Sequence, residues 1–200
     1  MFKRIDRIRP AAVNFINTGH YTTALPGTKD YYDFWDQEQK RCMYGYTVDE
    51  IDMTGFHYFY LNYCPIDRAV DELMPDGTLQ ARRERTFPRF YDGDFEYFHE
   101  IDKARADKKH MIVLKARRKG YSYKAGSMLA RNYFFVKNSK NFVFASSKEI
   151  DKSYDSLILA KAWLGKVLQQ LGEETPYKND GARNQVRYYL LSTYEADHHR

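Results

Sequence analysis

Between Asp92 and Ser192 the apolar pattern switches repeatedly between helical and strand periods, and this alternation restricts the possible folds more than any other feature of the chain. In "YDGDFEYFHEIDKARADKK", Phe95, Phe98, Ile101 and Ala104 or Arg105 recur at helical spacing, and Asp92 or Asp94 stands where a cap would start the helix. "HMIVLKA" follows as a strand of the buried type, and from Ser122 onward Ala125, Met128, Leu129, Tyr133 and Val136 lie on one helical stripe. "NFVFAS", Asn141 to Ser146, is a second short buried strand. In the "SSKE" that follows, Ser146 and Glu149 have capping-box spacing, and a helix is predicted through Leu157, Ala160, Leu164, Val167, Leu168 and Leu171 to Gly172 and the break at Pro176. "VRYYLLS", Val186 to Ser192, is the next strand. This order predicts an α/β fold with a parallel sheet flanked by helices, whose ligand crevice lies beyond the carboxyl ends of the strands.

Upstream the pattern is irregular. Residues 1–85 carry the turn signals "NTGH", "LPGTKD", "MTGF" and "MPDGT", and between them the β-prone aromatics of "FHYFYLNYCPI", Phe56 to Ile66, predict a short strand or strand pair. The "RRER" at 82–85 reads as an exposed joint. It divides the chain into an aromatic-rich, lid-like N-terminal extension over 1–85 and an α/β unit over 86–200. With 43% apolar residues in 200 the chain has enough to build a core. No window approaches the roughly 18 uninterrupted apolar residues of a membrane span, and "MFKRIDRIRP" lacks the apolar stretch of a secretory signal, so a soluble, unexported protein is expected. Cys42 and Cys64 form neither a disulfide framework nor a metal-ligand spacing, and are predicted to be buried or neutral thiols in a reducing cytoplasm. His57, His99 and His110 are isolated, and the pair His198 and His199 has no carboxylate at ligand spacing, so none is read as a metal site. Asp6, Asp30 and Asp33 read as turn and cap residues.

Charge is unevenly placed. From Lys103 to Lys124 there are nine basic residues against one acid, Asp107, a local balance of +8 in a chain whose total is +5. Lys103 to Lys109 read as a solvated helix face. Lys115 to Lys119 are different, because they follow directly on an apolar strand, where a ligand crevice is expected.

A loop between a buried strand and a helix start presents backbone N–H groups and the positive end of the helix dipole, which together favour phosphate. The standard phosphate loop ends in Gly-Lys-Ser or Gly-Lys-Thr, with the lysine on the β/γ-phosphates and the hydroxyl on Mg²⁺. Here the triplet is Gly120-Tyr121-Ser122, and Lys115 holds the position of the first glycine. The standard pattern therefore fails. The chemistry asks only that some cation reach the phosphates, and Lys115, on a long flexible stem, can cross under the loop to do so. Arg117, Arg118, Lys119 and Lys124 are further candidates, one of them as an arginine acting on transition-state charge. The plain alternatives are that Lys115 is a strand-end lysine, Ser122 a helix N-cap, Tyr121 a packing residue on the outer side of the loop, and Phe90 and Tyr91 core aromatics.

"KARRKGYS" resembles the deviant phosphate loop of the large terminase subunit of tailed bacteriophages, the ATPase motor that packages DNA into procapsids. In the branch that includes the lambda-type enzymes, the essential lysine opens the loop and Gly-Tyr-Ser or Gly-Phe-Ser closes it. Upstream, "FWDQEQKRCMYGY" and "MTGFHYFYLNYCPI" are similar to the tryptophan-bearing helix and aromatic segment of many terminases, and "FPRFYDGDFEYF" resembles their adenine-contacting region. "FVFASSKEIDKSYDSLI" looks like the strand and helix after the first ATPase unit, so the resemblance runs from about Tyr31 to Leu171. It implies a P-loop NTPase fold that binds Mg²⁺-ATP. Lys115 then takes the displaced lysine role and Arg118 that of the loop arginine, both catalytic; Gly120 makes the tight turn and Ser122 supplies the Mg²⁺ hydroxyl. Arg117, Lys119, Tyr121 and Tyr123 complete the nucleotide-binding loop, with Phe90 and Tyr91 at adenine. The implied partners are double-stranded DNA, a portal protein, a small terminase subunit and sister copies in a ring, in the infected host cytoplasm.

Large terminases continue with a strand ending in an Asp-Glu pair, a coupling motif and a nuclease domain. None of these is found before Arg200, and "YEADHHR", with Glu195 and Asp197, has no such strand before it. The chain is therefore expected to be the front portion of a motor that hydrolyses ATP poorly or not at all by itself. A different class also fits the basic run: an interaction module without nucleotide chemistry that sets Lys103 to Lys124 and interleaved tyrosines on nucleic-acid phosphates.

Overall fold

The computed structural model describes residues 6–116, 119–136, 140–146 and 185–191. Helix α1 (Pro10–Thr18) opens on proline, whose missing N–H loses no intrahelical bond at that position, and closes at Gly19 with φ 79°. No local side chain caps its start. Asn62, far along the chain, does so instead, its Oδ1 accepting from the amides of Ala11 at 3.0 Å and Ala12 at 3.3 Å. Helix α2 (Lys29–Tyr44) is capped by Thr28 and buries Tyr31, Trp35, Glu38 and Cys42, spaced so that they share one face. The tryptophan-bearing segment is thus helical, as the resemblance implied. Strands β1 (Tyr46–Val48) and β2 (Ile51–Met53) form a hairpin whose two turn residues, Asp49 and Glu50, have φ of 46° and 66°. Both signs suit the twist of a two-residue turn.

The aromatic segment is a helix, contrary to the strand expected there. α3 (Gly55–Tyr63) is capped by Thr54, which accepts from the His57 amide at 3.2 Å, and every one of its residues is buried. It packs against α1, α2 and both later helices, so it has no polar face from which a helical period could be read. Its aromatics favour strands only where a pleated, half-buried surface is offered, and here tertiary enclosure overrides that preference. The "MTGF" signal marks the helix start rather than a turn.

Strands β3 (Ile66–Leu73) and β4 (Leu79–Thr86) form a hairpin closed by Met74–Thr78, in register from Ile66↔Thr86 to Leu73↔Leu79. "RRER" is exposed as expected, but it is strand and not a joint. Helix α4 (Asp92–Ala106) lies where the periodicity predicts it. Its cap position is Tyr91, and Asp92 and Asp94 sit in the first turn, where a carboxylate still complements the dipole.

"HMIVLKA" forms no strand. Residues 109–116 have no regular secondary structure, and Ile112 and Leu114 are 90% and 96% exposed. A strand exists only through its ladder, and no strand pairs with this segment among the described residues. Helix α5 (Tyr121–Phe135) follows, but its buried stripe is Lys124, Ser127, Ala130 and Arg131; the expected Ala125, Met128 and Leu129 are only half-buried. The reason is polar. Arg131 donates from Nε to the Cys42 carbonyl at 2.8 Å and from Nη2 to the Met43 carbonyl at 3.0 Å, closing the carboxyl end of α2 and turning α5 onto this face.

Strands β5 (Lys140–Ser146) and β6 (Gln185–Leu191) pair in parallel from Lys140↔Gln185 to Ser146↔Leu191. The chain is thus mixed α/β, with three two-stranded sheets among the described residues, two of them antiparallel. The helix predicted from Ser146 to Leu171 lies outside the described residues. Residues on both sides of position 85 share one core, in which Phe98, Ala130 and Phe135 join Trp35, Phe59 and Tyr63. At its centre Glu38, 1% exposed, accepts from Tyr58 at 2.7 Å, from Tyr63 at 2.5 Å and from Arg41 at 2.5 Å. Burial and this carboxylate push both phenols well above their ordinary range.

Candidate functional site

The loop after residue 116 ends at Gly120, whose φ of 70° and ψ of 15° are left-handed, a conformation costly for any residue with a Cβ. Gly120 is also the cap position of α5, and it has no side chain with which to cap the helix. The amides of Tyr123 and Lys124 donate to the Gly120 carbonyl at 3.1 Å and 3.2 Å, so those of Tyr121 and Ser122 are the ones that stand at the positive end of the dipole. Lys115 is exposed, and its Nζ lies 5.7 Å from the ring centroid of Tyr121, the first residue of α5. Its ammonium thus lies near the side chain of the first helical residue.

The other expected residues fall into three groups. Lys119 and Ser122 are exposed on the loop and first turn, Ser122 at the second helical position rather than at the cap. Tyr121 and Tyr123 are half-buried; Tyr121 packs edge-on against Tyr97 at 4.9 Å. Arg117 and Arg118 lie outside the described residues. Lys124, a further candidate for phosphate, is 3% exposed and bound to the Asp94 carboxylate, with the Tyr121 and Tyr97 ring centroids at 4.3 Å and 5.5 Å. It is committed to the fold.

Tyr60 was not singled out from the sequence, yet its hydroxyl lies beside the loop glycine. A Cβ on Gly120 would stand 3.8 Å from its hydroxyl. Burial, then the charge of Asp94 and the neighbouring Tyr91 and Tyr123, raise its phenol well above the ordinary range. The glycine of the loop is therefore close to the hydroxyl of a buried tyrosine. Nothing in local sequence reveals this, because Tyr60 lies in a helix of continuous aromatics.

Phe90 is half-buried against His57, ring centroids 5.2 Å apart, while Tyr91 is 56% exposed. His57 is sandwiched between Phe90 and Phe98, and neither of its ring nitrogens has a hydrogen-bond partner. Burial, reinforced by His99 and Lys124, pushes this imidazole from 6.5 down to about 3. The unfolded chain therefore binds the extra proton between these values. Stability contributed by neutral His57 is complete above pH 6.5 and is lost as the pH falls toward 3. Denaturant midpoints measured from pH 7 to pH 4 are expected to fall, and His57→Phe is expected to flatten that fall; an unchanged slope in the variant assigns the acid sensitivity elsewhere.

No family model, curated protein or solved structure matches the chain. Among the described residues no group of three or more His, Cys, Asp or Glu is placed to hold a metal ion, and no helix is long and apolar enough to cross a membrane. Cys42 and Cys64 are free and fully buried, and burial raises both thiols.

Proposed function

We propose that the chain is the front portion of the ATPase motor subunit of a viral DNA-packaging terminase, with a P-loop-type parallel sheet flanked by helices. One observation carries the reading: the Lys115 ammonium lies 5.7 Å from the ring centroid of Tyr121, the first residue of a helix whose cap position, Gly120, is left-handed and without a side chain. The order of loop, helix α5 and the parallel strands β5 and β6 is compatible with it.

In this reading the first-turn amides of α5 and Lys115 hold the phosphates of ATP, with Lys119, Arg117 and Arg118 adding positive charge along the loop. Ser122, exposed on the first turn, offers its hydroxyl to the Mg²⁺ that arrives with the nucleotide. Bound Mg²⁺ would neutralise phosphate charge, and the strand ending in Asp-Glu that terminases carry would supply the water-activating carboxylate. Tyr91 is open to stack on adenine, beside Phe90, whose ring stacks on His57. Hydrolysis in the complete motor drives translocation of double-stranded DNA into a procapsid, with a portal, a small subunit and sister copies as partners in the infected host cytoplasm.

Lys115→Ala is expected to abolish Mg²⁺-ATP binding, measured by titration calorimetry, while leaving the circular dichroism spectrum and melting curve unchanged. Unaltered ATP affinity removes Lys115 from the site. The exposed lysines 103, 108, 109, 115 and 119 favour a second reading, a nucleic-acid-binding module without hydrolysis. It expects no nucleotide binding and a DNA affinity that falls steeply with salt.

A further inference from the structure

The buried pair of Asp94 and Lys124 is a contact that phosphate chemistry does not require. Lys124 lies one turn into α5, its N–H donating to the Gly120 carbonyl at 3.2 Å, and Asp94 lies in the first turn of α4, its N–H donating to the Tyr91 carbonyl at 3.0 Å. Between them the ammonium of Lys124 meets the Asp94 carboxylate, with side chains only 3% and 13% exposed. The ion pair thus ties together two residues whose amides are hydrogen-bonded to the cap residues of their helices, Asp94 to Tyr91 and Lys124 to Gly120. The rings of Tyr97 and Tyr121 stand against the ammonium.

A buried ion pair adds little net stability over an apolar pair of similar volume, because desolvation offsets attraction; its best-attested use is to fix register between elements. The elements fixed here are the start of α4, which carries Phe90 and Tyr91, and the start of α5, which carries the loop. We infer that Asp94, acting through Lys124, is a positioning residue that sets the base side of the nucleotide site at the correct distance from its phosphate side. This rests on the nucleotide-binding reading proposed above. Neither residue touches the nucleotide, and the phosphate-holding groups, Lys115 and the first-turn amides, do not depend on Asp94.

The test compares binding of Mg²⁺-ATP with that of Mg²⁺ and inorganic triphosphate, which has no base, to the 200-residue chain. Asp94→Ala is expected to weaken ATP by about tenfold or more while triphosphate stays within about twofold, so that the preference for ATP collapses. A residue that merely supports the fold weakens both ligands in parallel, and that result, or no change in either, overturns the inference. Should Asp94→Ala fail to fold, the apolar pair Asp94→Leu with Lys124→Met keeps the volume without the buried charges and is expected to lose the same preference. Retained preference in a folded double variant overturns the inference. If the unaltered chain binds neither ligand, the nucleotide reading falls and this inference with it; if it binds both and only the preference test fails, the reading stands alone.

Discussion

Glu38→Ala is expected to destabilise the fold by about 3–5 kcal/mol, the cost of breaking a buried charged network by removing one partner, and to lower Tm by roughly 10 °C or more. The carboxylate is the shared acceptor of two buried phenols and of the Arg41 guanidinium, which also lies 4.7 Å over the Tyr46 ring. Alanine strands the two phenols in a site that water does not reach and leaves the partly exposed Arg41 guanidinium without its carboxylate. Glu38→Gln keeps the shape and one acceptor oxygen but not the charge, and an intermediate loss is expected. Equilibrium unfolding in urea, monitored by tryptophan fluorescence from fully buried Trp35, reads both variants. Stability of Glu38→Ala close to that of the parent would mean that the three donors find other acceptors.

Gly55→Ala is the second large effect. A Cβ built at Gly55 stands 2.3 Å from the Cys42 carbonyl oxygen and 2.9 Å from its carbon, backbone atoms at the end of α2 that cannot swing aside. Helices α2 and α3 must separate, and the expected cost is about 3 kcal/mol, the upper end for overpacking. Gly93 provides the contrast. It lies within α4 with nothing within 4 Å of its Cβ position, so Gly93→Ala is expected to stabilise by roughly 0.5–1 kcal/mol through helix propensity. Equal effects of the two substitutions would show that the close approach of α2 and α3 is not the constraint.

The candidate site was legible where chemistry depends on local chain geometry. A glycine before a helix, preceded by a cluster of cations, announces a turn and an uncapped N-terminus, and Gly120 has the left-handed backbone such a turn requires. Lys124 looked equivalent to its basic neighbours, because its distinguishing partner, Asp94, is 30 residues away and local sequence read that aspartate as a cap. Tyr60 and His57 were hidden for the same reason: within a run of aromatics nothing marks which ring faces the loop before α5 and which fills the core.

By itself the sequence determined the elements whose signals are local: the α4 periodicity and the two apolar runs that pair as β5 and β6. Only the tertiary structure decided that the aromatic run from Phe56 is a helix, that "HMIVLKA" stays unpaired, and that the buried stripe of α5 carries Lys124 and Arg131. The physical reason is the same in each case. Burial on all sides erases periodicity, a strand needs a neighbour that its own residues do not encode, and a buried charge is placed by partners distant in sequence: Asp94 for Lys124, the last carbonyls of α2 for Arg131.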